Sequence, residues 1–151
     1  KRIIIVLTML AVTLAAGSAF AAGSSTINVS AAVTGTCRWV SAAGSVAFGT
    51  LDQDLQPAVT GTVTDPTFWC TNGKAYTIVD DNGLNEVGTT HQLSDGAGAV
   101  LAYTFSYTAA GTGSGKSVTL NPAISAGIVA GTYGDLPEGN YSDTVTLTIN
   151  P

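Results

Sequence analysis

Positive charge is what this sequence most lacks. It holds five Lys and Arg, two of them at positions 1 and 2. Beyond residue 21 only Arg38, Lys74 and Lys116 stand against ten acidic residues, a formal charge of −7. Phosphate binding needs clustered Lys and Arg, so nucleic acid is excluded as a partner. Histidine is represented only by His91, and cysteine only by Cys37 and Cys70. Zinc wants more Cys or His at close spacing, so no metal or other cofactor is expected. After residue 21 there is no apolar run of membrane length and no helical periodicity of useful extent.

The first 21 residues differ from the rest. Lys1-Arg2 precedes an apolar run from Ile3 to Ala16, and Gly17-Ser18-Ala19-Phe20-Ala21 follows. The order of charge, apolar run and small residues is that of a secretory signal peptide, with cleavage expected after Ala21. The run is shorter than the ~20 residues of a membrane span, which disfavours an uncleaved anchor. Export would place Cys37 and Cys70 where a disulfide persists, and two cysteines allow one intramolecular pairing. On the chain-entropy model that bond contributes roughly 3 to 4 kcal/mol.

What is abundant is Gly, Thr, Ser, Ala and Val, a composition suited to strands and turns. Apolar residues alternate with polar ones in Ile27, Val29, Ala31 and Val33. Shorter cases are Val46 and Phe48, Val59 to Val63, Phe68 to Cys70, and Tyr76 to Val79, the last running into an Asn82-Gly83 turn. Leu101, Tyr103, Phe105 and Tyr107 follow, then Val118 and Leu120, and finally Tyr141 to Ile149. Short strands at this spacing predict an all-β sandwich. The Gly- and Ala-rich stretches Asp95–Ala99 and Ala109–Gly115 read as loops.

An immunoglobulin-like sandwich normally follows its Tyr141–Ile149 equivalent with one further strand. Here the alternation stops one or two residues before Pro151, whereas a strand-like segment precedes the first strand. An incomplete sandwich with one spare N-terminal strand is therefore expected. The expected divisions are a signal peptide over 1–21, a free segment over 22–36 and the sandwich over 37–151.

Catalytic motifs fail on inspection. Gly111-Thr112-Gly113-Ser114-Gly115-Lys116-Ser117 has Ala110 where a phosphate-binding loop needs glycine, and no helix start follows. Asp80-Asp81-Asn82-Gly83 lacks the acidic spacing of a calcium loop. His91 has no Gly-x-Ser-x-Gly nucleophile elbow to serve. No acid–base pair or nucleophile constellation supports an enzyme.

The chain resembles the Spore Coat Protein U domain family, whose members include major pilins of archaic chaperone-usher pili. The likeness rests on the alternating segment before Cys37, on Phe48-Gly49, on Phe68-Trp69-Cys70-Thr71, and on Gly139-Asn140-Tyr141-Ser142-Asp143-Thr144 leading into the terminal strand. The last matches the family's closing Gly-x-Tyr-x-Asp-Thr pattern.

The resemblance implies a pilin that polymerises by donor-strand exchange. Its groove would be filled first by a periplasmic chaperone, at an outer-membrane usher, and then by the N-terminal segment of a neighbouring copy. The donor side chains would be Ile27, Val29, Ala31 and Val33. Tyr141, Val145, Leu147 and Ile149 would form the groove's terminal strand. The fibre would be exported through the periplasm to the cell surface, for attachment and biofilm formation. Two other readings stay open: a self-complete secreted coat protein whose segment folds back on its own core, and a carbohydrate-binding adhesin module.

Overall fold

The computed structural model describes residues 22–151, so the expected signal peptide over 1–21 lies outside the described residues. The chain divides into two units, Lys1–Ala32 and Val33–Pro151. In the first, residues 22–32 carry no regular secondary structure and are exposed. Ile27 and Val29 are 83% and 90% accessible.

The second unit is all strand and loop, with no helix among the described residues. Its strands are β1 (Cys37–Ser41), β2 (Ser45–Ala47), β3 (Val59–Thr60), β4 (Thr62–Thr64), β5 (Thr67–Cys70), β6 (Ala75–Asp80), β7 (His91–Ser94), β8 (Val100–Ser106), β9 (Ala110–Thr112), β10 (Ser125–Ile128) and β11 (Leu147–Asn150). They form a four-stranded sheet in the order β3-β10-β8-β7, a three-stranded sheet β11-β6-β9, and the pairs β1-β5 and β2-β4. Every named pairing is antiparallel.

The alternation in sequence becomes alternation in burial. In β8, Leu101 and Tyr103 point inward while Ala102 and Thr104 are exposed, and in β6 the buried pair is Tyr76 and Ile78. Two apolar clusters result. Leu101, Tyr103, Ala126, Ile128 and Tyr133 form one, with Tyr141 and Val145 packed against it. Phe68, Cys70, Tyr76 and Ile78 form the other, with Cys37, Trp39, Leu147 and Ile149 against it.

The register of β1 on β5 sets Cys37 opposite Cys70, with their Cα atoms 4.1 Å apart and the disulfide formed. Trp39 lies edge-on to Phe68 at 5.3 Å between ring centroids, beside the bond. Trp69 points the other way, and Lys116 Nζ sits 6.0 Å from the centre of its ring. The two Trp residues flanking the cysteines thus serve opposite faces of one small sheet.

Several elements depart from the sequence expectation. Leu120 makes only an isolated bridge to Phe68, and Val118 is exposed, so no strand forms there. Ala110–Thr112, expected as loop, pairs with β6, because Gly111 leaves room for the Tyr76 ring that a Cβ would strike. Asn82 and Gly83 do turn the chain, with φ of 59° and 90°. They do not make a hairpin, since β6 pairs with β9 and β11 rather than β7.

Candidate functional site

The Tyr141–Ile149 run is a single inward-facing row: 141, 143, 145, 147 and 149 are half-buried and the residues between are exposed. It is nevertheless not one continuous strand. Ser142 exchanges backbone hydrogen bonds with Ser94 of β7, at 2.9 Å each way, whereas Leu147–Asn150 pair with β6. The run therefore leaves one sheet and joins the other. Between the two ladders, the backbone groups of Asp143, Thr144 and Val145 have no hydrogen-bond partner among the described residues.

Two carboxylates hold this crossing. Asp81 accepts from the Thr146 N–H at 2.8 Å, and that bond, more than any other, draws its pKa below the ordinary carboxylate value. Asp143 accepts from the Tyr103 hydroxyl at 2.7 Å, from the Leu84 N–H at 2.9 Å and from the Asn85 amide at 3.3 Å. Burial, reinforced by that carboxylate, pushes the Tyr103 hydroxyl far above the usual tyrosine value. At the start of the run the Tyr141 hydroxyl donates to the Pro137 carbonyl four residues upstream, at 2.9 Å. This contact has the form of the tyrosine corner of immunoglobulin-like sandwiches, a Tyr hydroxyl bonded to backbone a few residues upstream.

Beside the crossing lies a groove of about 570 Å³. Trp39, Val46 and Phe48 line it from the β1–β2 side, and residues 143–147 from the other. Leu93, Tyr103 and Phe105 complete the lining. These rings form a row, with Phe48 and Tyr103 centroids 5.9 Å apart and Tyr103 and Phe105 6.4 Å apart. A largely apolar trough, edged by backbone groups that have no partner among the described residues, can take an extended segment by strand addition.

Of the residues singled out in sequence, Val145 and Leu147 line the groove. Tyr141 and Ile149 share their face but pack against different clusters at the two ends of the run. Val33 is 86% accessible and Ala31 exposed, like Ile27 and Val29. Sequence reasoning passed over Asp143, though its place in the closing Gly-x-Tyr-x-Asp-Thr pattern was the available signal. It also passed over Leu93, because His-Gln-Leu-Ser has no alternation to announce β7.

The residues with catalytic appearance are structural. His91 is buried, its Nε2 lies 2.9 Å from Asp80 Oδ2, and its ring packs on those of Tyr103 and Phe105. Asp80 also accepts from the Tyr107 hydroxyl at 3.0 Å. This cluster ties β6 to β7 and β8, elements of different sheets.

Among curated proteins, none matches the sequence. Among solved structures, the chain is similar to one in the crystal structure of the CsuC–CsuE chaperone–tip adhesion subunit pre-assembly complex from archaic chaperone-usher Csu pili of Acinetobacter baumannii. The identity is 22% and the TM-score 0.50 over 78% of this chain, which spans 40% of that one. The likeness is one of fold, in agreement with the all-β, immunoglobulin-like arrangement described above. The model of the Spore Coat Protein U domain matches residues 23–148, from the free segment to the crossing strand, and the chain belongs to that family.

Proposed function

We propose that this chain is a structural subunit of a chaperone-usher pilus and polymerises by donor-strand exchange. The observation that carries the reading is the groove between β1–β2 and residues 143–147, largely apolar and bordered by backbone at Asp143–Val145 that has no hydrogen-bond partner among the described residues. The donor is the segment 22–36 of a second copy, with Ile27, Val29, Ala31 and Val33 entering on one face. From Ile27 to Val33 is six residue steps, about 20 Å of strand, and Tyr141 to Leu147 covers the same number. Membership of the Spore Coat Protein U family and the fold likeness to a chain of the CsuC–CsuE pre-assembly complex support the same assignment.

Burying Ile27, Val29 and Val33 contributes about 1.5 to 3 kcal/mol each. Each backbone hydrogen bond made along the inserted strand adds about 1 kcal/mol. The contact is head-to-tail and need not close on itself, so its repetition gives a fibre rather than a ring. A periplasmic chaperone fills the groove before assembly and an outer-membrane usher receives the complex. The fibre on the cell surface then serves attachment and biofilm formation.

The test is Val29→Asp with Val33→Asp. The variant is expected to keep its chaperone complex and to lose the ladder of multimers in unboiled, non-reducing SDS gels that the unmodified chain gives. Fibres of normal length from the variant overturn the donor assignment. A lone monomer band from the unmodified chain supports the self-complete reading instead.

A further inference from the structure

The few cations of the described chain are not scattered. Arg38 on β1 lies directly opposite Trp69 on β5, so the two share the outer face of that pair. Lys116 stands over the same indole. Lys74 lies along Gly35, at the entry to β1, where its side-chain carbons occupy the space a Cβ would need. All three positive charges of residues 22–151 thus surround the point where the free segment joins the sandwich. This is the end of the unit that holds Cys37, Cys70 and Ile149.

The opposite end, built around Leu101, Tyr133 and Tyr141, is acidic. Asp95 neighbours Gly139, as a Cβ on that glycine would lie 3.8 Å from the Asp95 Cβ, and Glu138 is next in sequence. Gln53 donates to the Tyr133 and Leu136 carbonyls and so holds Asp52 and Asp54 beside Asp135 and Leu136. A polar hollow of about 280 Å³, lined in part by Asn85, Asp95 and Ser142, opens on this side. The Ala97 N–H, followed by those of Ala99 and Gly98, donates to the Asp95 carboxyl and holds it below the ordinary carboxylate value.

From this we infer that the Arg38–Trp69–Lys116 face of one copy docks on the Asp95–Glu138 rim of the copy that receives its N-terminal segment, forming a second, electrostatic contact at each joint. The inference rests on the strand-donation reading and adds the surface that orients the partners. A strand that completes an immunoglobulin-like sandwich runs antiparallel to its neighbour. Inserted in that sense beside residues 141–149, the donor places Val33 at the Tyr141 end. Arg38 follows five residues later, a reach of at most about 17 Å, which brings it to the acidic rim around Tyr141. The opposite insertion would set Arg38 at the Ile149 end, against the cationic end of the acceptor. Charge complementarity of this type chiefly raises association rate and fixes orientation.

The test follows ladder formation from chaperone-bound subunits in unboiled SDS gels, at about 20 and 300 mM salt, where the screening length shortens severalfold. Four chains are compared: unmodified, Arg38→Glu with Lys116→Glu, Glu138→Lys, and all three together. Asp95 is left intact because it caps its own loop. The unmodified chain is expected to assemble about tenfold faster at low salt, and Arg38→Glu with Lys116→Glu to lose about tenfold at low salt only. Adding Glu138→Lys to that pair is expected to recover part of the loss. Should the reversed chains misfold, the salt dependence of the unmodified chain decides alone. Assembly at one rate in both salts, or an undiminished rate with Arg38 and Lys116 reversed, overturns the docking while leaving donor exchange intact. An unmodified chain that makes no ladder overturns the fibre reading and the docking with it.

Discussion

Gly83 tests how the crossing strand is held. It is buried at φ 90°, and a Cβ there would collide with the Asp143 carboxylate, the acceptor of the Tyr103 hydroxyl. Gly83→Ala therefore has two costs. Left-handed backbone strain in an alanine amounts to about 1 to 2 kcal/mol. Displacing Asp143 forfeits at least one hydrogen bond to a charged group, about 1.5 to 3 kcal/mol, and strands the half-buried Tyr103 hydroxyl. Gly88 provides the internal control, with φ 67° and nothing within 4 Å of its added Cβ, so Gly88→Ala bears the backbone cost alone. In the Val29→Asp/Val33→Asp background, which is expected not to polymerise, urea unfolding should give about 3 to 5 kcal/mol lost for Gly83→Ala and about 1 to 2 for Gly88→Ala. Because Asp143 and Tyr103 both line the groove, Gly83→Ala should also weaken binding of a peptide spanning residues 22–36, and Gly88→Ala should not. Equal costs for the two substitutions, within about 0.5 kcal/mol, would refute the role given to Asp143.

Replacing both cysteines, Cys37→Ala with Cys70→Ala, frees a loop of 33 residues and should cost about 3.7 kcal/mol on the chain-entropy model, read as a lower urea midpoint. A loss below about 1 kcal/mol would show that the β1–β5 ladder holds the two strands without the bond. Alkaline pH should act through Tyr103, whose hydroxyl is raised in the fold by burial and by Asp143. Above about pH 10 the unfolded chain can release this proton and the folded chain cannot, so stability falls as pH rises past the unfolded value. Tyr103→Phe should flatten that part of the stability–pH curve, and an unchanged slope would assign the effect elsewhere.

The parts of the fold legible in sequence are those where one face is buried and the other wet. Leu101 and Tyr103, Tyr76 and Ile78, and Phe68 and Cys70 announced β8, β6 and β5 because a half-buried strand must alternate. β7 and β10 were not legible: His-Gln-Leu-Ser and Ser-Ala-Gly-Ile carry too few large apolar residues to display a period, and each takes its place from a neighbour. β10 is sandwiched between β3 and β8, and Gly127 fits where a larger side chain would meet Thr104. The groove was half legible. Val145 and Leu147 followed from alternation, but Trp39, Phe48 and Leu93 reach it through pairings between segments far apart in sequence, which periodicity does not encode.

The same pairings explain why the groove stays open. A strand that remained in one ladder from Tyr141 to Ile149 would have a regular outer edge and would lie flat on the core. Here Ser142 belongs to β7 and Leu147 to β6, so the intervening backbone bridges two sheets and is secured on one side by Asp81 and Asp143. Carboxylates satisfy donors without offering a second ladder, and the backbone of Asp143–Val145 keeps no hydrogen-bond partner among the described residues. Substituting them with apolar residues would remove the acceptors for Thr146, Leu84 and Tyr103 together. The opening is thus a product of the sequence that forms the crossing. A strand arriving from another copy would find its hydrogen-bonding edge already held in place, which lowers the ordering cost of accepting it.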